Sequence, residues 1–130
     1  MSLVRDYLFT EPIFVGVDTT IAEARRLMEK KNIGAVVIAN NDAKPVGIFT
    51  ERDFLVTVAG EKDLKRTMKE WATGIVIKVN KEATIQKALE KMLDQGIRRL
   101  LIVDDSDKAV GFLTMKDLTE ALYEEVQELR

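Results

Sequence analysis

The chain carries one pattern twice, 64 residues apart. Gly47-Ile48-Phe49-Thr50-Glu51-Arg52-Asp53 returns as Gly111-Phe112-Leu113-Thr114-Met115-Lys116-Asp117, and the register holds without a gap from residues 20–54 to residues 84–118. Repetition at a fixed spacing constrains architecture more than any local signal, because each copy must adopt the same supersecondary unit. In a chain of 130 residues neither copy is large enough to bury both faces of a sheet alone, so the two are expected to share a core.

Each copy reads as strand, helix, strand, strand, helix. Residues 20–31 place Ile21, Ala24, Leu27 and Met28 on one helical face. Thr20 with Glu23 has the spacing of a capping box, and Asn32 suits a left-handed C-terminal position. The copy at residues 84–95 repeats the stripe as Ile85, Ala88, Leu89 and Met92 and stops at Gly96. There Lys87 stands where Glu23 stood, so the hydroxyl cap is kept and its reciprocal half is lost. Val36-Val37-Ile38 and Leu100-Leu101-Ile102-Val103 are continuous apolar runs, which predict strands buried on both faces. Polar turns at residues 40–45 and 104–108 lead into second strands at residues 46–49 and 110–113, each ending where a threonine opens the next helix. Earlier strands are predicted at Ile13-Phe14-Val15 and Ile75-Val76-Ile77-Lys78-Val79.

The first repeat is assigned to residues 1–60, with its core at 7–58, and the second to residues 61–130, with its core at 71–123. Residues 54–67, broken by Gly60, read as the link between them. Residues 116–130 predict an amphipathic helix with Leu118, Leu122, Val126 and Leu129 along one stripe. Core packing accounts for the first two; Val126 and Leu129 lie past the repeat and suit a second subunit or a partner helix.

Composition removes several function classes. There is no cysteine and no histidine, which excludes disulfides, thiol catalysis and the commonest general base and zinc ligand. No metal site and no catalytic residue is therefore assigned. A net charge of −2 supplies no general attraction to nucleic acid or an anionic membrane, and no apolar run reaches the length of a membrane span. The first residues lack the apolar stretch of a signal peptide, so the cytoplasm is the expected compartment.

The duplicated motif suits a phosphorylated sugar. A helix N-terminus offers unpaired N–H groups and partial positive charge, and Thr50 and Thr114 stand where a strand hands over to such a helix. A threonine hydroxyl donates to a phosphate oxygen; the carboxylates of Asp53 and Asp117, one turn on, accept from ribose hydroxyls. Gly47 and Gly111 leave room for a ligand at the backbone, and Arg52 and Lys116 add cations. The other account is helix capping, since Thr-x-x-Asp has capping-box spacing and a strand glycine can mark close packing. Capping alone does not explain why the threonine and aspartate are retained while Glu51 between them becomes Met115. The two roles are compatible.

The pattern Gly-apolar-x-Thr-x-x-Asp, closing a strand–helix–strand–strand–helix unit, resembles the ribose-phosphate motif of cystathionine-β-synthase (CBS) domains. Flanking segments match as well: Asp6-Tyr7-Leu8-Phe9, Pro12-Ile13-Phe14-Val15 and Ile33-Gly34-Ala35-Val36 in the first copy, and Glu70-Trp71-Ala72-Thr73 and Ile97-Arg98-Arg99-Leu100 in the second. The resemblance implies an α+β fold of two pseudo-twofold-related β-α-β-β-α repeats, a CBS pair or Bateman module. It implies binding of AMP, ADP, ATP or S-adenosylmethionine as regulatory ligand, no required cofactor, and pairing into homodimers. It carries ribose and phosphate contacts to Thr50, Asp53, Thr114 and Asp117. It carries base contacts to Phe14, Val15, Gly16, Ala35, Val36 and Val37 in one copy and to Ile77, Lys78, Val79, Asn80, Arg99, Leu100 and Leu101 in the other. Leu8-Phe9 departs from the Met-Thr usual in the family, whereas Thr73 is kept.

The copies differ where Gly34-Ala35 becomes Arg98-Arg99. Two guanidinium groups there either reach a phosphate or point to solvent and pair with acidic neighbours. Tyr7 and Trp71 are more readily explained by packing than by a ligand. The expected function is a sensor of adenosine-containing molecules that passes occupancy to an effector protein. The alternative is a ligand-free interaction or dimerisation module, with the motif serving only as helix caps. An enzyme has little support, since no carboxylate pair stands apart and no phosphate loop with its lysine is present.

Overall fold

The computed structural model describes residues 2–7 and 11–128. The repeat is visible in the order of elements: β1 (Phe14–Gly16), α1 (Ile21–Lys31), β2 (Ala35–Ala39), β3 (Pro45–Thr50) and α2 (Glu51–Ala59), then β4 (Lys78–Asn80), α3 (Ile85–Gln95), β5 (Arg99–Val103), β6 (Ala109–Thr114) and α4 (Met115–Glu128). Short 3-10 turns at Val4–Asp6 and Met68–Glu70 precede the first strand of each copy.

Each copy forms a three-stranded sheet. β1 runs parallel to β2, and β2 pairs antiparallel with β3; β4, β5 and β6 repeat this order. The hairpin register breaks at the same place in both, between Ile38 and Ala39 and between Ile102 and Val103. Ala35, Val36, Val37 and Ile38 are all buried, as are Leu100 to Val103, so the apolar runs mark strands covered on both faces. One core gathers Val15, Ile21, Ala24, Met28, Val36, Ile38, Phe49 and Met68. The other gathers Val4, Val79, Ile85, Ala88, Met92, Leu100, Ile102, Leu113 and Leu118.

Helix ends follow their sequence signals. Thr20 and Thr84 cap α1 and α3 by accepting from the N–H groups of Glu23 and Lys87, each at 3.1 Å. The reciprocal half of a capping box is missing from α1 too, because Glu23 takes its hydrogen bond from the Thr20 hydroxyl, at 2.9 Å, instead of from the backbone. Asn32 and Gly96 end these helices in the left-handed conformation, at φ of 53° and 63°.

The hairpin turns also match. Asn40 Oδ1 accepts from the N–H groups of Asp42 and Lys44, and Asp104 Oδ1 does the same for Ser106 and Lys108. The Lys108 N–H, ahead of that of Ser106, holds the Asp104 carboxyl below its ordinary pKa. A carboxyl whose pKa is lower folded than unfolded stabilises the fold above its unfolded pKa and loses that contribution as pH falls through the folded value. Asp104→Asn is expected to keep the turn, as Asn40 does, and to flatten the acid-side dependence. Urea midpoints of parent and variant at pH 7 and pH 3 check this; parallel falls would remove Asp104 as a cause.

Packing cuts across the repeats. One compact unit is Pro12–Val76, and the other joins Met1–Glu11 to Ile77–Arg130. Residues 64–67, read from the sequence as part of a link, instead cap α1: Ile21 and Ala22 donate their N–H groups to the carbonyls of Arg66 and Leu64, at 2.9 and 3.0 Å, and Thr20 bridges Thr67. The physical reason is that the first turn of a helix leaves N–H groups unpaired, and an adjoining backbone can accept from them. Leu3 bridges Thr84 in the same way, and Ile85 donates to the Ser2 carbonyl at 3.1 Å. Leu3 and Thr67 stand 64 positions apart, so the repeat begins earlier than its helices reveal. Val4 sits fully buried in the second core in the register position of Met68. Val4→Ala is expected to cost about 2 kcal/mol, read from chemical unfolding of the full chain; loss below a few tenths would show that the segment is not part of that core.

The strand predicted from Ile75 to Val79 is shorter than expected. Gly74 bends the chain at φ 82°, the Thr73 hydroxyl takes the Ile75 N–H at 3.2 Å, and Ile75 is 78% exposed; pairing starts only at Lys78. In α4, Leu118 is buried and Leu122 half-buried, while Val126 is exposed; Leu129 lies outside the described residues, as do Leu8 and Phe9.

Candidate functional site

Both Thr-x-x-Asp motifs occupy the junction of a hairpin strand with the following helix. Thr50 is the N-cap of α2 and Thr114 ends β6 directly before α4. At the first junction Thr50 N–H donates to Asp53 Oδ2 at 2.8 Å and Asp53 N–H to Thr50 Oγ1 at 3.2 Å. At the second, Thr114 N–H donates to Asp117 Oδ2 and Asp117 N–H to Thr114 Oγ1, both at 3.1 Å. These are reciprocal capping boxes, so the capping role is real in each copy.

The boxes leave capacity unused. The N–H of the first helical residue goes to the middle strand: Glu51 donates to Gly34 and Met115 to Arg98, at 3.1 and 2.8 Å. The third N–H goes to the threonine. The N–H groups of Arg52 and Lys116, between them, meet no acceptor among the described residues and point at the positive end of the helix. Each aspartate uses Oδ2 in its box and keeps Oδ1 for another donor. A threonine, an open helix amide and a half-used carboxylate therefore converge within one turn, a donor–donor–acceptor set that suits a phosphate beside a diol.

The two sets differ in one proton. Thr50 Oγ1 also donates to Asp53 Oδ2, at 2.9 Å, whereas the Thr114 hydroxyl makes no such bond. Thr114 offers its hydroxyl directly; Thr50 must release its own aspartate first.

Neighbouring residues fall into place around each junction. Ala35 lies opposite Thr50 in the β2–β3 ladder and Arg99 opposite Thr114 in the β5–β6 ladder. Arg52, Lys116 and Arg98 are exposed, while Arg99 is half-buried with its guanidinium 5.9 Å from the Phe112 ring centre. Phe14 and Gly16 are exposed on β1; Val15, Val36 and Val79 are core side chains. Ala35, Val37, Leu100 and Leu101 are buried, and Ile77 and Asn80 half-buried. Among the described residues no group of three potential metal-binding side chains comes together, and no helix is long and apolar enough to cross a membrane.

Gly47 has a different neighbour from the one its place in the motif suggests. A Cβ there would collide with the carbonyl oxygen of Trp71, and would lie 2.8 Å from its carbonyl carbon and 3.3 Å from Ala72 Cα. Trp71 itself stacks edge-to-face on Phe49, with ring centres 4.8 Å apart. The chain's own backbone uses the space that the missing side chain leaves.

Sequence reasoning missed a polar group on β4. Lys78 Nζ pairs with the Asp107 carboxylate at 2.6 and 2.8 Å, Lys91 Nζ donates to the Lys78 carbonyl at 2.7 Å, and Asn80 Nδ2 donates to Asp105 at 2.9 Å. The first copy has Phe14, Leu27, Gly16, Ala43 and Asn41 in register, so aligning the copies at every position would have exposed the contrast.

Fold and junctions together define a tandem pair of β-α-β-β-α repeats, each closing on a threonine–aspartate box at a helix N-terminus. The family model for the CBS domain matches at residues 4–60 and again at residues 68–124, and the chain belongs to that family. It is 37% identical over 103 residues to an uncharacterized protein of Methanopyrus kandleri, covering 78% of this chain and 53% of the relative. It is 34% identical over 113 residues to an uncharacterized 17.7 kDa protein of Acidianus ambivalens, covering 87% of this chain and 68% of the relative. The chain thus spans about half the length of the first and two-thirds of the second. Among solved structures, a CBS domain protein from Pyrobaculum aerophilum complexed with AMP superposes with a TM-score of 0.81 at 27% identity, covering 89% of each chain. A CBS domain pair in complex with 5′-methylthioadenosine and S-adenosyl-L-methionine superposes at 0.83 and 29% identity, covering 96% of this chain and 98% of that one.

Proposed function

We propose that the chain is a regulatory module that binds adenosine-containing molecules, with AMP, ADP, ATP and S-adenosylmethionine as the candidate ligands, and passes occupancy to an effector protein. The observation that carries this is the unspent donor and acceptor capacity of both boxes: the Arg52 and Lys116 amides and one oxygen each of Asp53 and Asp117. Helix capping accounts for the other groups and leaves these over. The ligands of two solved relatives, AMP in one and 5′-methylthioadenosine with S-adenosyl-L-methionine in the other, support the same class.

No catalytic role is assigned, and the module works by binding alone. Ligand that prefers one arrangement of the chain shifts its population, and a partner that also prefers that arrangement gains affinity. The copies are proposed to differ in ligand preference, with Arg98 and Arg99 favouring the more highly charged phosphates. Leu55, Val56 and Val58 on α2 and Tyr123 and Val126 on α4 are exposed, and a homodimer through these faces is part of the proposal. The compartment proposed is the cytoplasm, with neither nucleic acid nor membrane as partner. Calorimetric titration of the folded protein with each of the four ligands is the direct test. Heat and saturation with at least one are expected; none with any of them would leave the boxes as caps and the chain as an interaction module.

A further inference from the structure

The two helix ends that close the boxes are charged differently. The first turn of α2 carries two carboxylates, Glu51 and Asp53, and the first turn of α4 carries one, Asp117. Glu51 is exposed, and no ion pair or side-chain hydrogen bond among the described residues involves it. Met115, its register counterpart, is half-buried against the second core. Both are the first residue of their helix, between the threonine and the aspartate of the box, and both give their N–H to the middle strand, at Gly34 in one copy and Arg98 in the other. The first copy thus sets a carboxylate beside a glycine at this corner, and the second sets a thioether beside an exposed arginine. Arg52 and Lys116 hold the same position in both copies, so their charges do not alter the contrast.

The threonine hydroxyls differ in the same direction. Thr50 Oγ1 accepts the Asp53 N–H and gives its proton to Asp53 Oδ2. Thr114 Oγ1 accepts the Asp117 N–H, and its proton meets no acceptor among the described residues. A phosphate needs donors and positive potential. At the first box one donor is spent internally, and the partial positive charge of the helix end, about half an elementary charge, already faces two carboxylates. At the second box the donor is open and a single carboxylate faces that charge.

We infer that Glu51 bars phosphate from the first box, so that this box selects an adenosine whose 5′ substituent carries no phosphate and leaves adenosine phosphates to the second. The inference rests on the adenosine-binding function proposed above and names the ligand class of each box. The acceptor for a ribose diol, Oδ1 of the aspartate, is the same in both copies, so the adenosine part of a ligand does not discriminate between them. Selection falls on the 5′ substituent. A phosphate beside Glu51 meets a repulsion that a neutral thioether does not, whereas beside Met115 and Arg98 it meets none from that position.

Amide hydrogen exchange on the full chain, titrated with AMP or with 5′-methylthioadenosine, reads the two boxes separately through residues 51–54 and 115–118. The two ligands share adenosine and differ in the phosphate. 5′-Methylthioadenosine is expected to protect residues 51–54 at lower concentration than AMP does, and AMP to protect residues 115–118 at lower concentration than 5′-methylthioadenosine does. Glu51→Gln is expected to tighten AMP at residues 51–54 by about fivefold, and Glu51→Lys by more, with 5′-methylthioadenosine unchanged in both. High salt should shrink the gain, because it screens exposed charges. A merely structural role for Glu51 would move both ligands alike and would not respond to salt. AMP protecting residues 51–54 ahead of 5′-methylthioadenosine in the parent, AMP binding there unchanged in both variants, or both ligands shifting together would overturn the inference. A parent that binds neither ligand at either box would instead defeat the proposed function itself.

Discussion

Gly47→Ala is expected to lower folding stability by about 3 kcal/mol. The added methyl group would fall on the Trp71 carbonyl oxygen, and backbone, unlike a flexible side chain, cannot rotate aside. Either the Trp71–Ala72 segment lifts or β3 bends. Lifting also costs the Phe49–Trp71 ring contact and the bond from Gly74 N–H to the Val46 carbonyl, at 2.9 Å. Both outcomes disturb the strand that ends at Thr50, so ligand affinity should fall together with stability. Urea unfolding followed by Trp71 fluorescence reads the effect at its source, since this is the only tryptophan. A variant as stable as the parent would mean that the segment over β3 packs loosely enough to yield, and that the motif glycine is there for another reason.

Asp53→Ala and Asp117→Ala are each expected to abolish one class of adenosine-ligand site, weakening it by about tenfold or more, while the other class persists. Each substitution removes the free Oδ1 proposed for the ribose and also the Oδ2 that satisfies the N-cap N–H. A stability loss of about 1 kcal/mol should accompany it. Asp→Asn separates the two effects: the amide oxygen still accepts from the threonine N–H, so capping survives, while the negative charge is lost. Calorimetry on both variants at each position decides between binding and capping. If Ala and Asn variants bind as the parent does and only the Ala forms lose stability, the boxes are caps alone. The extra bond from the Thr50 hydroxyl to Asp53 adds a finer expectation, since Asp53→Ala frees that hydroxyl and Asp117→Ala frees none.

Most of the architecture was legible in the sequence because its signals are local. Apolar spacing placed α1 and α3, and Thr20, Thr84, Asn32 and Gly96 set their ends to within a residue. Such signals act through neighbours three or four residues apart, which a sequence displays directly. The paired motifs were equally plain, since Thr50 with Asp53 and Thr114 with Asp117 form their boxes across three residues.

What stayed hidden depends on segments far apart in the chain. The capping of α1 by residues 64–66 joins positions more than 40 residues distant, and the burial of Val4 against Val79 and Ile85 spans more still. No periodicity marks such partners. Gly47 reads as an open backbone in sequence and proves to be a backbone crossing, because only the folded chain brings Trp71 over it. No sequence signal singles out Lys91; its ammonium reaches the Lys78 carbonyl only in the folded chain.

By itself, then, the sequence determined a duplicated β-α-β-β-α unit, the helix boundaries and the threonine–aspartate pair at each strand–helix junction, all of them written in short-range spacing and in the 64-residue register. Tertiary structure alone decided which groups of those pairs are spent on the helix and which meet no partner among the described residues, why the first glycine of the motif carries no side chain, and that the Lys91 ammonium lies on the Lys78 carbonyl. The reason is the same in each case: a hydrogen-bonding group is committed or free according to what the fold brings within about 3 Å of it, and residues brought together by packing leave no trace of that meeting in their order along the chain.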